Sequence, residues 1–316
     1  AYHKPFTAAT GINVISVDGD NPAPMVKTQV EAGNVSVDVA DVEYADAIRL
    51  CDEGMLEEIG MDALPAGADG TAAADDFLPG AVTDCAVSTI VFSTVYGYDT
   101  TKFPEGPTTM ADFFDTTKFP GKRGMRKGAK ANLEMALMAD GVPAADVYAT
   151  LGTPEGVDRA FAKLDQIKKD VVWWEAGAQP PQLLADGEVV MSTAYNGRLF
   201  SAEVADGKPF KTVWDGQVFE YDLFVIPKGA PNLEQALEFV KFATSTQALA
   251  DQAKYIAYGP ARKSSASLVG MFEDAEFETG VFPVAAGDCF HFLTDGFTDA
   301  LAQPENNNFW SSDGRD

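Results

Sequence analysis

Three observations predict an α/β protein with a parallel sheet. Helical and extended patterns alternate from Tyr2 to Glu53. A near-continuous apolar run, Ala86–Val95, has the character of a buried central strand. Between Leu183 and Asp222, aromatic, basic and acidic residues collect at strand ends and turns, where open α/β sheets place ligands.

Taken in order, Tyr2–Thr10 reads as a helix, with Gly11 where a left-handed closing residue belongs, and Ile12–Val17 as a strand. Ala23–Gly33 is a helix with Met25, Val26 and Val30 on one face. Val35–Val39 alternates valines with Ser36 and Asp38 as a strand, and Ala45–Glu53 is a helix ended by Gly54. This βαβα rhythm implies parallel pairing. Pro65–Pro79, rich in Gly, Ala and Asp, reads as a surface loop, and Tyr96–Pro107 as a connector. Met110–Asp115 is a short helix, and Lys130–Ala139 a helix carrying Leu133, Met135, Ala136 and Leu137. Thr153-Pro154 supplies an N-cap and a Pro at N1 for a helix whose face is Val157, Phe161 and Leu164.

Val171–Trp174 is a short strand. A helix then ends at Gly187, the strand Val189–Ala194 stops at Tyr195-Asn196-Gly197-Arg198, and a second helix and a return segment reach Glu220-Tyr221-Asp222. Leu223–Ile226 is a strand broken by Pro227, and Asn232 caps an amphipathic helix burying Leu233, Leu237 and Val240. No internal repeat stands out. The chain opens inside a helix, where an α/β lobe normally opens with a strand, and Ala300–Asp316 is polar and Asn-rich, so both ends read as truncated.

Composition narrows the function classes. The 316 residues suffice for two lobes, and 46% hydrophobic with 22% charged residues is ordinary for a globular protein. No apolar run reaches the length of a membrane span. The net charge of −25 argues against nucleic acid or anionic lipid as partners, since both need a basic face. Cys51, Cys85 and Cys289 show no metal spacing. Buried free thiols are the preferred reading, with Cys85–Cys289 the pair considered for an exported chain. With His3 and His291 the only histidines, neither a histidine metal site nor a His-based triad is expected. Glu220 and Asp222, two apart on an extended segment, point the same way with no acid opposite, so no enzyme, cofactor or metal is expected.

Several segments together resemble the extracellular solute-binding proteins of ABC importers, in particular the polyamine (spermidine/putrescine) branch. They are Pro5–Val14, Asp52-Glu53-Gly54-Met55-Leu56, Ala185–Val189, Tyr195-Asn196-Gly197, Tyr221–Pro227 and Tyr258-Gly259-Pro260. The resemblance implies a type II periplasmic-binding-protein-like fold with two lobes, a hinge, two crossovers and a ligand in the interlobe cleft. Lobe 1 would comprise residues 1–100 and 223–316, and lobe 2 residues 101–222. It also implies an exported, periplasmic monomer that delivers a small cationic or zwitterionic amine to a permease in the inner membrane. Family members normally begin with a strand and a ligand-contacting loop ahead of the first helix seen here.

By the same resemblance Asp222 accepts the amine and Tyr195 replaces a family tryptophan as an aromatic wall. Glu220 stands where an aromatic is usual. The helix start at Gly128 to Ala131 lacks the family's acidic residues, and Lys127 and Lys130 add positive charge. Arg198 occupies a position usually small; a guanidinium there repels a dication but pairs with a carboxylate. Arg198 with Asp222 suits a short zwitterion such as 4-aminobutyrate. A diamine or polyamine is the alternative, and a structural Arg198 bridge to Glu220 or Asp222 the plainer one. Of the pair Trp173 and Trp174, Trp174 is assigned to the cleft. Gln179 is a ligand hydrogen-bonding candidate, and Ser88 and Tyr44 are further contacts, Tyr44 equally a packing residue. A ferric-ion binder would need adjacent tyrosines and an anion site that the sequence does not display.

Overall fold

The computed structural model describes residues 1–17, 19 and 21–269. Cys289, His291 and Ala300–Asp316 lie outside them. The chain forms two compact units: Ala1–Phe92 with the described residues from Glu220 on, and Ser93–Phe219.

The first unit opens with α1 (His3–Thr10), closed by Gly11 at φ 77°, and α2 (Ala23–Glu31). β1 (Ala40–Glu43) leads directly into α3 (Tyr44–Asp52), and α4 is a single turn (Ala73–Asp76). The strand β2 (Ala86–Asp99) is buried along its length and runs from this unit into the second. The chain returns within β6 (Phe210–Val225), followed by α11 (Leu233–Ala243), α12 (Thr246–Gln252), β7 (Gly259–Pro260) and α13 (Lys263–Ala266). The strand order is β1-β6-β2 with β7 against β2. Phe6, buried on α1, packs edge-on against Phe239 of α11 at 5.2 Å, and Phe224 of β6 meets the same ring at 5.5 Å.

The second unit contains α5 (Met110–Phe114), β3 (Arg123–Arg126), α6 (Asn132–Ala139), α7 (Val147–Leu151) and α8 (Pro154–Asp165). After them come β4 (Val171–Trp174), α9 (Gln179–Ala185), β5 (Met191–Tyr195) and α10 (Asn196–Phe200). Strands run in the order β2-β5-β3-β4, with β5, β3 and β4 mutually parallel and β2 antiparallel to β5. The core gathers Tyr96, Phe113, Met135 and Leu137 on one side, and Val95, Leu184 and Leu199 form a second cluster.

Several expectations are corrected. Ile12–Val17 forms no strand: it is rich in β-branched residues, but Ile15 and Val17 are over 80% exposed, with no strand paired to them among the described residues. The expected Val35–Val39 strand falls instead at Ala40–Glu43, where the segment finds β6 as its antiparallel partner. Parallel pairing therefore holds for β5-β3-β4, while β1–β6 and β2–β7 are antiparallel. Residues Tyr96–Asp99, read as connector, continue β2, and Leu223–Ile226 is only the end of the sixteen-residue β6. On α8 the buried side is Gly156 and Ala160, and Phe161 is half exposed, because the close approach of this helix to its neighbours favours small residues over Phe. On α11, Leu233 is exposed and the buried face is Ala236, Phe239, Val240 and Ala243. Asn232 does not cap the helix but donates its backbone N–H and amide to Asp38.

Pro65–Pro79 is more than a surface loop. Its Asp76, 1% exposed, pairs with fully buried Arg262 at 2.9 Å; that guanidinium also donates to Thr244 O and Pro65 O and stacks 4.1 Å over Phe77. The cysteines form a disulfide, Cys51–Cys85, with Cα atoms 5.9 Å apart, in place of the free thiols or Cys85–Cys289 pair expected. Two thiols brought to that separation are within ordinary bridging range, which residue spacing alone could not reveal.

Candidate ligand-binding site

The second unit presents three parallel strand ends side by side. β3 ends on Arg126, β4 on Trp174 and β5 on Tyr195, and each is followed by the first turn of a helix, α6, α9 or α10. Register pairs Arg126 with Trp174 directly. Carboxyl ends of parallel strands bind ligands because the chain leaves the sheet there, freeing side chains and helix N–H groups from the core.

Tyr195 is the hub of this end. Trp174, 1% exposed, meets its ring edge-on at 5.6 Å (interplanar 86°), and the Arg126 guanidinium lies 5.6 Å from the ring centroid. The backbone of Gly177 lies against the ring's edge: a methyl at this position would stand 2.8 Å from two Tyr195 ring carbons and 4.0 Å from Arg198 Nε. Arg198, exposed on α10 one turn past Tyr195, thus shares the neighbourhood of the Tyr195 ring. The Trp174 indole N–H is buried with no acceptor among the described residues, an expense a structure normally avoids. Asn196 fixes the turn, its side-chain oxygen accepting from Ser93 N at 3.0 Å.

Gln179 is exposed, and its side-chain oxygen is already engaged, accepting from Glu175 N and Ala176 N at 2.8 Å each. It shapes the 175–178 turn instead of projecting that oxygen outward. Lys127 pairs with Glu175 at 2.9 Å, and its N–H donates to Trp174 O at 2.7 Å, binding the turn to the end of β3. Between β3 and α6, Ala131 holds φ 62°, a conformation an alanine adopts only under constraint. Asn132 braces this loop by donating to Arg126 O (2.6 Å) and Gly128 O (2.8 Å). In the first turn of α6, burial pushes the Glu134 carboxyl up, while its own N–H, the Tyr148 hydroxyl and the Ala131 N–H oppose the shift.

The first unit carries the acidic candidates. Asp222 lies on β6 directly opposite Glu43 of β1, and its carbonyl accepts from the Thr89 hydroxyl at 3.2 Å. Glu220 and Asp222 are both half-buried, while Tyr221 between them is buried and donates to Pro79 O. Tyr44 starts α3 with its ring 6.2 Å from that of Tyr221, and burial raises the pKa of its hydroxyl. Ser88 is fully buried and its hydroxyl donates to Ile90 O, so it belongs to the core of β2 and not to a strand end.

Sequence reasoning missed Arg126, although the signal was present: Lys122, Arg123, Arg126, Lys127 and Lys130 fall within nine residues.

A model of the bacterial extracellular solute-binding protein family matches residues 1–279. The gamma-aminobutyric acid-binding protein of Pseudomonas aeruginosa is 45% identical over 269 residues, 85% of this chain and 74% of that one. Among solved structures, the PBP MotA from A. tumefaciens in complex with glucopine aligns with TM-score 0.78 and 33% identity, over 85% of this chain and 81% of its own. A GABA receptor aligns with TM-score 0.74 and 38% identity, over 84% of this chain and 79% of its own. These are α/β periplasmic binding proteins of type II, the fold class expected from the sequence. Such proteins capture small solutes for ABC permeases and are not enzymes. This chain belongs to the bacterial extracellular solute-binding protein family.

Proposed function

We propose that this chain is the periplasmic receptor of an ABC importer for a short ω-amino acid of the 4-aminobutyrate type, working as a monomer with its inner-membrane permease. The observation that carries this reading is the separation of charge between the two sets of candidate residues. The parallel strand ends offer two guanidiniums, Arg126 and Arg198, beside an aromatic pair and an indole N–H with no acceptor among the described residues. That set is matched to a carboxylate, which a guanidinium grips with charge-assisted hydrogen bonds. Asp222 and Glu220, with Tyr44 close by in the fold, are matched to an ammonium. A ligand with one charge of each sign suits the chemistry of each set; a diamine meets only repulsion from the guanidiniums. Relatives described as binding gamma-aminobutyric acid support the same chemistry.

Glu134 is the one feature that favours a diamine, being a carboxylate in the first turn of α6, where polyamine binders keep acidic residues. Its Oε1 accepts from the Tyr148 hydroxyl at 3.5 Å, so one half of the carboxylate is already engaged, while Oε2 is buried with no partner among the described residues.

Titration calorimetry with 4-aminobutyrate and putrescine tests the proposal. The amino acid should bind and the diamine should not. Arg198→Ala should weaken 4-aminobutyrate by roughly tenfold or more, the scale of one lost charged pair, and Asp222→Ala should abolish binding. Tight binding of putrescine with no response to 4-aminobutyrate would sink the reading.

A further inference from the structure

The 175–178 turn contains a glycine whose backbone does not require one, since its φ lies outside the left-handed region. What requires glycine is space. A methyl on Gly177 would stand 2.8 Å from both Cδ2 and Cε2 of Tyr195, well inside ordinary van der Waals contact, so one side must move. The turn is the rigid side. Two backbone N–H groups are clamped onto the Gln179 side chain, Gln179 N donates to Ala176 O at 2.9 Å, and Trp174 O is held by Lys127 N. Tyr195 is half-exposed at the end of its strand, and its ring can yield only away from the turn, with Trp174 buried against it.

We infer that Gly177 is a specificity-determining position: by having no side chain it sets how far the Tyr195 wall stands back, and so how long a ligand the wall accommodates. This rests on the reading of Tyr195 as a ligand wall. The carboxylate grip should be spared by a change here, because the same methyl lies 4.0 Å from Arg198 Nε, an ordinary contact. A displaced wall penalises each added methylene, whereas a damaged grip penalises every carboxylate alike. That contrast makes the inference testable.

The experiment is calorimetry of the wild-type protein and Gly177→Ala with 3-aminopropanoate, 4-aminobutanoate and 5-aminopentanoate. Gly177→Ala should shift preference toward the shorter ligands, changing the affinity ratio between neighbours by about tenfold, the discrimination one methylene gives in a pocket. In a Tyr195→Ala background the same substitution should add nothing, because the ring it displaces is gone. Tyr195→Leu, which draws the wall back without touching the turn, should shift preference toward 5-aminopentanoate and serves if Gly177→Ala does not fold. Equal weakening of all three ligands, or an effect of Gly177→Ala that persists without the Tyr195 ring, overturns the inference while leaving the proposed function standing. Failure of the wild-type protein to bind any of the three overturns both.

Discussion

Removing the Cys51–Cys85 disulfide should cost stability on a scale set by the loop it closes. The bridge joins the last turn of α3 to the residue before β2, across a sequence separation of 34. In the chain-entropy model, closing a loop of that length in the unfolded chain is worth about 3.8 kcal/mol at 25 °C. Cys85 is buried, so serine there adds a buried hydroxyl, and Cys→Ala is the cleaner change. For urea slopes of about 1–3 kcal/mol/M, the Cys51→Ala/Cys85→Ala variant should unfold roughly 1–4 M earlier than the oxidised protein. Equilibrium urea denaturation followed by tryptophan fluorescence measures this, and thiol titration of the denatured, unreduced protein should count one free cysteine of the three. Three titrating thiols in protein recovered from an oxidising compartment would refute the bridge. An unchanged urea midpoint in the double variant would refute the claim that it stabilises.

Arg262→Met leaves Asp76 buried without its cation and should cost about 3–5 kcal/mol by thermal or chemical unfolding. Pairing it with Asp76→Leu should recover a large part, since replacing both charges removes the unpaired one. Arg126→Ala should weaken a carboxylate-bearing ligand with little effect on melting temperature, a split that calorimetry and thermal unfolding resolve together. Acid should act through Asp112, whose carboxyl sits at about 2: burial works against that position, and Lys118 with the N–H groups of Thr108 and Thr109 more than offsets it. Its folded value lies below the unfolded one near 3.9, so its contribution is present above that value and is lost as pH falls toward 2. Asp112→Asn should flatten the stability profile in that window alone, read from urea midpoints at stepped pH.

What was legible in the sequence follows from how each residue meets its surroundings. The strand ending at Tyr195 could be read because its apolar residues Val189, Met191 and Ala194 are buried and the Tyr195-Asn196-Gly197 turn marks where it stops. β3 was hidden for a physical reason. Its first residue is Arg123, wholly buried, whose guanidinium donates to the carbonyls of Phe113, Gly121, Asp115 and Phe119. Gly124 follows because Ser192 crowds the position where a side chain would be. A core strand spelled Arg-Gly-Met-Arg carries no hydrophobic alternation, so the strand went unread and Arg126 at its end went with it. Ile12–Val17 is the converse, an apolar-rich run (Ile12, Val14, Ile15, Val17) with no strand paired to it among the described residues. Asn232 shows a third kind of miss: the capping residue type is right, but Asp38, 194 positions away in sequence, competes for its donors.

The candidate residues of both units depend on one strand. At Thr89, β2 donates to the carbonyl of Asp222; five residues on, Thr94 is the register partner of Tyr195, and between them Ser93 N is held by the Asn196 side chain. The boundary between the units falls at Phe92/Ser93, inside this span. Register in a strand has a period of two, so a one-residue slip turns each side chain to the opposite face. β2 is buried along its whole length, on both sides of the boundary, and a slip would therefore break, within the core, the Thr89 bond to Asp222 O and the Asn196 bond to Ser93 N. The near-continuous apolar run that first marked Ala86–Val95 as a central strand is thus also what fixes where the acidic set and the aromatic–cationic set each begin. An inserted residue between Thr89 and Thr94 would leave each unit's core largely intact and still misplace one set against its own strand.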